Sequence, residues 1–169
     1  MSLLSKSAEY AIRASIFIVA RSQAGHKTGL KEVASAIGSP VFFTAKILQG
    51  LTRQKLISSI KGPNGGFYVD PDSRDITLLD LVQAVDGTDL FTECGLGMKQ
   101  CSDANPCPIH DQYKPIREQI TSMMERTTIQ QLARRAVMDA DGKSIRGLSL
   151  KKDYVLETVH QHFRMNGHN

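Results

Sequence analysis

The sequence has no long apolar run and no recognisable secretory leader. Its most hydrophobic stretch, residues 8–20, is interrupted by Glu9 and Arg13, whereas a membrane-spanning helix needs roughly 18 consecutive apolar residues. The first residues also lack a small-residue cleavage site after an apolar core. These absences exclude a membrane span in that stretch and predict a cytoplasmic protein with no membrane partner. A chain of 169 residues is long enough for one compact domain with an appended helix.

Cysteine is scarce, and the common enzyme motifs are absent. The chain has three cysteines, an odd number that disfavours a disulfide framework and leaves metal or redox chemistry for the thiols. There is no nucleophile elbow, phosphate-binding loop or paired-carboxylate motif. A thiol enzyme would also need a base and an oxyanion site, which the sequence does not identify. The sequence therefore predicts a protein that is not an enzyme.

All the cysteines stand in one short stretch with a histidine, in the order Cys94, Cys101, Cys107 and His110. Thiolates and imidazoles are ligands for zinc and for iron–sulfur clusters. Intervening glycines and prolines allow a loop to gather these side chains around one point, and the polar residues at positions 99–103 are not typical of a core. The pattern favours a soft metal site over three small buried hydrophobic residues.

Charge is unevenly distributed along the chain. Residues 21–61 contain seven basic residues and a single acidic one, Glu32, whereas residues 76–110 contain one basic residue, Lys99, and five acidic ones. A basic module therefore precedes an acidic one. A local surplus of positive charge is what phosphate binding requires, although a solvated helix face can carry the same charges.

Helical periodicity predicts three helices in the basic module, over residues 4–22, 30–37 and 40–54. Gly25 ends the first helix, Gly38 ends the second, and Pro40 begins the third. Two helices joined by a tight glycine turn are typical of a helix-turn-helix. The predicted buried face of the third helix consists of Val41, Thr44, Ala45, Leu48 and Leu51.

A β-hairpin is predicted next, with strands over residues 56–60 and 66–69 and a turn over 61–65. Beside a helix-turn-helix, such a hairpin is a wing that can lie along the phosphate backbone or in the minor groove. Lys46, Arg53 and Lys61 are predicted to contact phosphates. Phe42 or Phe43 is a candidate for a thymine methyl group and Thr44 for a base edge, unless both aromatic side chains pack in the core. The full set of predicted DNA contacts is Lys31, Ser39, Phe42, Phe43, Thr44, Lys46, Arg53, Lys61, Gly62, Asn64 and Gly65.

The second half of the chain is again helical. Helices are predicted over residues 77–85, 107–126, 129–135 and 151–163. The helix over 107–126 contains Pro115 and carries an apolar stripe, which predicts a dimerisation helix or, alternatively, packing against the first helix. Three histidines near the end are either a second metal site or surface residues of a loose tail: His160, His162 and His168.

The sequence resembles a known family at several points: residues 6–13, 30–34 and 56–59, the wing residues 61–67, and the cysteine–histidine stretch. It is similar there, over about residues 2–135, to the bacterial winged helix-turn-helix iron–sulfur regulators that include IscR and NsrR. The resemblance implies a homodimeric transcription regulator, in the role of a repressor, that binds a near-palindromic operator in double-stranded DNA. It also implies control by an iron–sulfur cluster, 2Fe-2S favoured over 4Fe-4S, that senses iron–sulfur status, nitric oxide or redox state.

The resemblance also implies the ligands. Cys94, Cys101 and Cys107 match the three thiolate ligands, although six residues separate the first pair where IscR-like members usually have five. The fourth ligand is His110, as in IscR-like members, or Glu9 from the partner subunit, as in NsrR-like members. A local reading of Glu9 is an ion pair with Arg13 on the same helix.

Early in the predicted recognition helix the sequence departs from IscR-like members, because Pro40, Phe42 and Ala45 replace polar or acidic residues. The operator sequence is therefore not carried over.

The expected fold class is mainly α with a small β-hairpin wing. Residues 1–75 are predicted to form the winged helix-turn-helix domain, 76–106 a linking helix and cluster-binding loop, 107–138 the dimerisation helix with a short following helix, and 139–169 a C-terminal tail. Two alternative functions remain open: a DNA-binding protein with a structural zinc site, and a thiol-dependent redox enzyme.

Overall fold

The computed structural model describes residues 3–136, which form seven helices and one two-stranded antiparallel hairpin. The predicted fold class is confirmed. The predicted helix over 151–163 and the three histidines near the end lie outside the described residues. In chain order the elements are α1 Lys6–Gln23, α2 Leu30–Ile37, α3 Val41–Arg53, β1 Ser58–Ile60, β2 Gly66–Tyr68, α4 Leu78–Asp86, α5 Asp89–Thr92, α6 His110–Arg126 and α7 Ile129–Arg135.

Helix α1 is the centre of the core. The Ser5 side chain caps it by accepting a hydrogen bond from the Ala8 amide at 3.0 Å. Its residues are buried on nearly every side, because α2, α3, α4 and α7 all pack against it. A helix that is apolar around most of its circumference has to be surrounded in this way.

Helices α2 and α3 form the predicted helix-turn-helix. Gly38 adopts a left-handed conformation with φ of 65°, and the Ser39 amide donates to the Ala34 carbonyl at 2.9 Å, which is the pattern that ends helices at glycine. The buried face of α3 consists of Thr44, Ile47, Leu48 and Leu51. Val41 had been assigned to this face but is exposed, because the first turn of α3 extends beyond the core.

The wing is fastened to the connection between α1 and α2. Strands β1 and β2 pair in antiparallel register with Ser59 opposite Phe67. Phe67 also exchanges two backbone hydrogen bonds with Thr28, at 2.9 and 2.8 Å. A side chain at Gly66 would meet the Thr28 backbone at 2.9 Å, and the φ of Gly66 is +145°. Only glycine permits this close approach.

Helices α4 and α7 tie the second half of the chain to the first. The Thr77 side chain and Asp80 form a capping box at the start of α4, and Arg74 binds the Asp80 carboxylate through two nitrogens at 2.7 and 3.0 Å. Backbone hydrogen bonds then join the residues before α4 to those before α7. Within residues 3–136, no helix combines the length and hydrophobicity that crossing a bilayer requires.

Candidate metal centre and nucleic-acid interface

The cysteines lie on one irregular loop, residues 93–109, which connects α5 to α6 and is called the cysteine loop below. Its first turn is closed by a hydrogen bond from the Gly97 amide to the Cys94 carbonyl at 2.8 Å, and its middle is closed by paired backbone bonds between Ser102 and Asn105. Gly97 has a φ of +67°, which suits glycine. Backbone hydrogen bonds, rather than regular secondary structure, therefore set the shape of the loop.

The loop brings the three cysteine sulfurs to one place. All three lie within 4.8 Å of one another, and the Sγ atoms of Cys94 and Cys107 are 3.5 Å apart. Cys107 is buried, whereas Cys94 and Cys101 are half-buried. Three thiols of one short stretch, none of them adjacent in sequence, thus converge on a partly accessible site, as metal ligands do.

His110 is the first residue of α6 and joins the thiols through Cys101. Its Nδ1 lies 3.2 Å from Cys101 Sγ, and its Nε2 lies 2.9 Å from Asp103 Oδ1. The helix was predicted to begin at Cys107, which would have placed Cys107 and His110 on the same helix. Because α6 instead begins at His110, Cys107 precedes the helix and the imidazole reaches Cys101 on the loop.

Asp103 contacts the His110 imidazole, and Lys114 contacts Asp103. Neither residue was predicted from the sequence to belong to the site. Lys114 Nζ lies 2.7 Å from each carboxylate oxygen of Asp103. The hydrogen bond from Lys114, followed by that from His110, lowers the pKa of the Asp103 carboxyl group. Lys114 stands four residues after His110, which places both on one face of α6. This four-residue spacing is the sequence signal that could have associated Lys114 with His110.

Backbone amides make the Cys94 thiol more acidic than an ordinary cysteine. The Met98 amide and then the Leu96 amide, whose nitrogen lies 3.4 Å from Sγ, lower the pKa of the Cys94 thiol to about 7. The pKa of the Cys101 thiol is raised: the Cys107 backbone acts to lower it, but partial burial and the thiols of Cys107 and Cys94 outweigh that effect. Since the thiolate is the form that binds metals, the site is prepared to supply at least one near neutral pH.

An open pocket of about 240 Å³ lies against these groups. Its wall includes Tyr113, whose ring packs against Gly95 so closely that a Cβ there would lie 3.0 Å from it. The Arg117 guanidinium lies 5.9 Å from the centre of the same ring and donates to the carbonyls of Thr92 and Glu93 at 3.2 and 2.7 Å. Arg117 therefore holds the end of α5 against α6 and closes the site from one side.

Glu9, the alternative fourth ligand, is on α1. Its carboxylate forms an ion pair with Lys6 Nζ at 2.8 Å. Within a single chain, Glu9 is not part of the group formed by the three sulfurs.

The candidate nucleic-acid interface is the exposed stripe of α3, defined as Phe42, Lys46, Gln49 and Arg53. These residues follow one another at intervals of four, three and four, which is one side of a helix, and all four are exposed. Gln49 was missed because the sequence pattern gave it no distinguishing feature. Lys31 on α2 and three wing residues are exposed as well: Lys61, Gly62 and Asn64.

Three of the predicted DNA contacts point inward, so these predictions were wrong. Thr44 is 1% exposed, and its hydroxyl bonds to the Ser39 hydroxyl and the Pro40 carbonyl, both at 3.0 Å, so it does not reach a base. Ser39 is also buried. Phe43 packs against the core, with its ring edge-on to Tyr10 at 5.5 Å between centroids. Each of these side chains serves the packing of α3.

Gly65 has a structural role at the end of the wing turn. A Cβ at this position would collide with the Ile60 carbonyl oxygen. The residue is half-buried, and its lack of a side chain permits the tight shape of the wing turn.

Comparison with known proteins gives consistent matches. A profile of the Rrf2 family, described as iron-dependent transcriptional regulators, matches residues 4–135. The HTH-type transcriptional regulator IscR of Photorhabdus laumondii is 26% identical over 144 residues, covering 85% of this chain and 86% of that protein. IscR of Escherichia coli K12 is likewise 26% identical over 144 residues, covering 85% and 87% of the two chains.

Solved structures share the fold. CymR, the global cysteine regulator of B. subtilis, matches with a TM-score of 0.64 at 22% identity, over 80% of this chain and 98% of CymR. IscR of T. potens matches with a TM-score of 0.59 at 18% identity, over 78% of this chain and 87% of the other.

Proposed function

The chain belongs to the Rrf2 family of transcriptional regulators, and on that basis we propose that it is a homodimeric repressor whose affinity for operator DNA is controlled by an iron–sulfur cluster. The observation that carries the proposal is the convergence of three cysteine sulfurs within 4.8 Å of one another, beside an imidazole and on a chain that also carries a winged helix. The signal is iron–sulfur status, nitric oxide or redox state. A regulator of this kind acts where the chromosome is, in the cytoplasm.

The donor set fits such a cluster. Cys94, Cys101 and Cys107 supply three thiolates, and His110 supplies a nitrogen, which is an established replacement for thiolate on a 2Fe-2S centre. For this reason 2Fe-2S is favoured over 4Fe-4S. When bound, the cluster supplies a centre that gains or loses an electron and reacts with nitric oxide.

Asp103 favours His110 over Glu9 as the fourth ligand. An ionised carboxylate can only accept a hydrogen bond, so in a neutral imidazole Asp103 would favour the proton on His110 Nε2. The lone pair would then be on Nδ1, the atom 3.2 Å from Cys101 Sγ. Metal-binding histidines are commonly oriented by a carboxylate on the other ring nitrogen. Asp103 is therefore a positioning residue, and Lys114 holds Asp103 in turn.

The packing of α6 supports a route from the cluster to the DNA-binding helices. His110 begins α6, and near the other end of α6 Met124 packs with Val82 of α4 and Ala8 of α1. Helix α4 also contacts α3, where the Gln54 side chain at the end of α3 donates to the Ala84 carbonyl at 2.8 Å. A shift of α6 on loss of the His110 ligand would thus act on elements that hold the recognition helix.

Dimerisation is proposed through the outer side of α6. Ile116 and Met123 stand seven residues apart, or about two turns, and are 53% and 45% exposed, while Met124 is buried against α1 and α4. The exposed Ile116 and Met123 support a role of α6 in dimerisation, and the buried Met124 supports packing of α6 against α1. A twofold axis along this surface would place two copies of α3 about one turn of DNA apart.

Contacts to the DNA backbone are assigned to Lys46, Arg53 and Lys61, which are exposed on α3 and the wing. Neutralising a phosphate contributes to affinity and to its salt dependence, but little to sequence preference.

The second candidate is a winged-helix protein with a structural zinc ion. The same observation favours it, because three thiolates and an imidazole are a common tetrahedral set for structural zinc. A thiol enzyme has the acidic Cys94 in its favour, but the relatives named above are transcriptional regulators.

Anaerobic purification followed by iron and acid-labile sulfide analysis, absorbance and electron paramagnetic resonance distinguishes the candidates. We expect a brown protein with two iron and two sulfide per chain for 2Fe-2S, and operator affinity that changes when the cluster is removed. Stoichiometric zinc without labile sulfide would contradict the cluster-controlled repressor and support the winged-helix protein with structural zinc. A cluster that leaves DNA affinity unchanged would contradict its regulatory role.

A further inference from the structure

The strongest unexplained feature of the DNA-facing surface is an apolar one. Phe42, in the first turn of α3, is 77% exposed, and its neighbour Val41 is exposed as well. We infer that Phe42 reads the C5-methyl group of a thymine in the major groove, so that it determines part of the operator sequence. This inference rests on the proposed function, since it assumes that α3 enters the groove.

The position of Phe42 is fixed by its neighbours. Phe43 is held edge-on against Tyr10, and the Thr44 hydroxyl is bonded to the Pro40 carbonyl at 3.0 Å. The preceding turn is set by Gly38 in its left-handed conformation. With the first turn of α3 held on its inner side, Phe42 is presented outward at a defined place. An aromatic side chain with few rotatable bonds loses little freedom on making a contact there.

The charges around Phe42 indicate what kind of partner this surface binds. Lys46 follows one turn later on the same stripe and Arg53 lies further along, while the first turn of α3 contains no acidic residue. A surface that is apolar at one end and basic along its length suits a polyanion that also displays an apolar group. Duplex DNA does so in its major groove, where the thymine methyl is the apolar group on the base edges.

A protein or lipid partner fits this surface less well. One or two exposed side chains are too little for a stable protein interface, which buries about 1,200 Å² or more. The first turn of α3 also lacks hydrogen-bonding side chains at Val41, Phe42 and Phe43, so contact with a methyl group is the base reading available to it.

The test removes the methyl group alone. The full-length protein, with its cluster loaded and again after cluster removal, is used to select binding sequences from random duplex DNA. Each thymine of the selected operator is then replaced in turn by deoxyuridine, which keeps every hydrogen-bonding group. One buried methyl is worth about a fourfold change in affinity. We expect such a loss at one thymine in each half-site for the wild type and none for Phe42→Ala.

Two further variants serve as controls. Lys46→Gln should weaken binding on all sequences and reduce its salt dependence, while keeping the preference for thymine over deoxyuridine. Phe42→Leu should retain part of that preference, and it replaces Phe42→Ala if circular dichroism shows that the alanine variant does not fold. Both positions are exposed, so little change in stability is expected.

Three results would overturn the inference: no thymine at which the wild type is sensitive to methyl removal, a sensitivity that survives in Phe42→Ala, or a rise in 2-aminopurine fluorescence on binding that shows Phe42 wedged between unstacked bases. In each case DNA is still bound, and the proposed function stands. If neither form of the protein selects any DNA, the proposed function itself fails and this inference falls with it.

Discussion

The carboxylate of Asp103 lies 2.9 Å from Nε2 of His110, and Lys114 Nζ lies 2.7 Å from both oxygens of the same carboxylate. This relationship holds the imidazole beside Cys101, with Nδ1 3.2 Å from Cys101 Sγ. The sequence suggested His110 as a ligand only by its position near the cysteines, whereas the structure places its Nδ1 beside the thiol group of Cys101.

The fourth ligand can be identified by two single substitutions. His110→Ala removes the nitrogen donor and should shorten the lifetime of the cluster and alter its electron paramagnetic resonance spectrum, including the loss of ¹⁴N hyperfine coupling. Glu9→Ala should leave both unchanged. The reverse result, with Glu9→Ala altering the spectrum and His110→Ala sparing it, would assign the role to the partner subunit's Glu9.

Asp103→Asn should weaken the hold on His110 without removing a ligand. Loss of such a supporting carboxylate typically costs about 10- to 100-fold in metal affinity, which would appear as faster cluster loss to a chelator. Lys114→Met is the matched variant and should have a smaller effect, because it acts only through Asp103. Asp103→Glu should recover part of the lost stability and the wild-type ¹⁴N coupling, which a purely structural role for Asp103 would not predict.

The cluster-free protein should form a disulfide between Cys94 and Cys107 when it is treated with peroxide. Their Sγ atoms are 3.5 Å apart, and the Cys94 thiol, with its pKa lowered to about 7, is the readiest nucleophile. Two thiols and one hydrogen peroxide give one disulfide and two water molecules. Peptide mapping by mass spectrometry should find this bridge, with Cys101 left free. A dominant bridge to Cys101 would show that the loop rearranges when it is empty.

The wing should depend on Gly66. Gly66→Ala places a Cβ 2.9 Å from the Thr28 backbone at a φ of +145°, a conformation that costs a non-glycine residue about 1–3 kcal/mol. Urea unfolding should show this loss of stability, together with weaker DNA binding. Gly50→Ala is the control: its Cβ would meet nothing within 4 Å on α3, and alanine is favoured over glycine inside a helix by about 1 kcal/mol. Equal effects of the two changes would rule out the close approach as the cause.

Charge on the outer side of α6 should break the dimer. Ile116→Glu buries a carboxylate in the proposed interface, so we expect monomers in analytical ultracentrifugation and a large loss of operator affinity. Glu118→Lys changes the charge at an exposed position on the opposite side of α6 from Ile116, and this variant should remain dimeric. A dimeric Ile116→Glu variant would place the interface elsewhere.

Local sequence signals predicted the elements of the fold well, because each depends on residues close in the chain. Gly38 and Pro40 mark the turn between α2 and α3, and the glycines at 65 and 66 mark the wing. The start of α6 was predicted three residues too early, since Cys107 and the two residues after it look helix-compatible but are held in the cysteine loop.

Periodicity was less informative about which side of a helix is covered. It assigned Val41 to the core, although the first turn of α3 reaches beyond the helices that cover the rest. It left Phe42 and Phe43 as equivalent candidates, and only the position of Tyr10 decides between them. Thr44 was a plausible base contact because it carries a hydroxyl group, but that hydroxyl is hydrogen-bonded to the Ser39 hydroxyl and the Pro40 carbonyl.

By itself, the sequence determined which chemical groups this protein has and roughly where they lie in the chain: three thiols and an imidazole on one loop, a basic helix-turn-helix, and a glycine-dependent wing. These follow from residue type and short-range spacing. Tertiary structure alone decided that Asp103 and Lys114 orient His110 and that Phe42 faces outward while Phe43 faces inward. The spacing of His110 and Lys114 places both on one side of α6, but only the fold of the cysteine loop brings Asp103 to them. In the same way, only the packing of Phe43 against Tyr10 on α1 decides which of the two phenylalanines is covered.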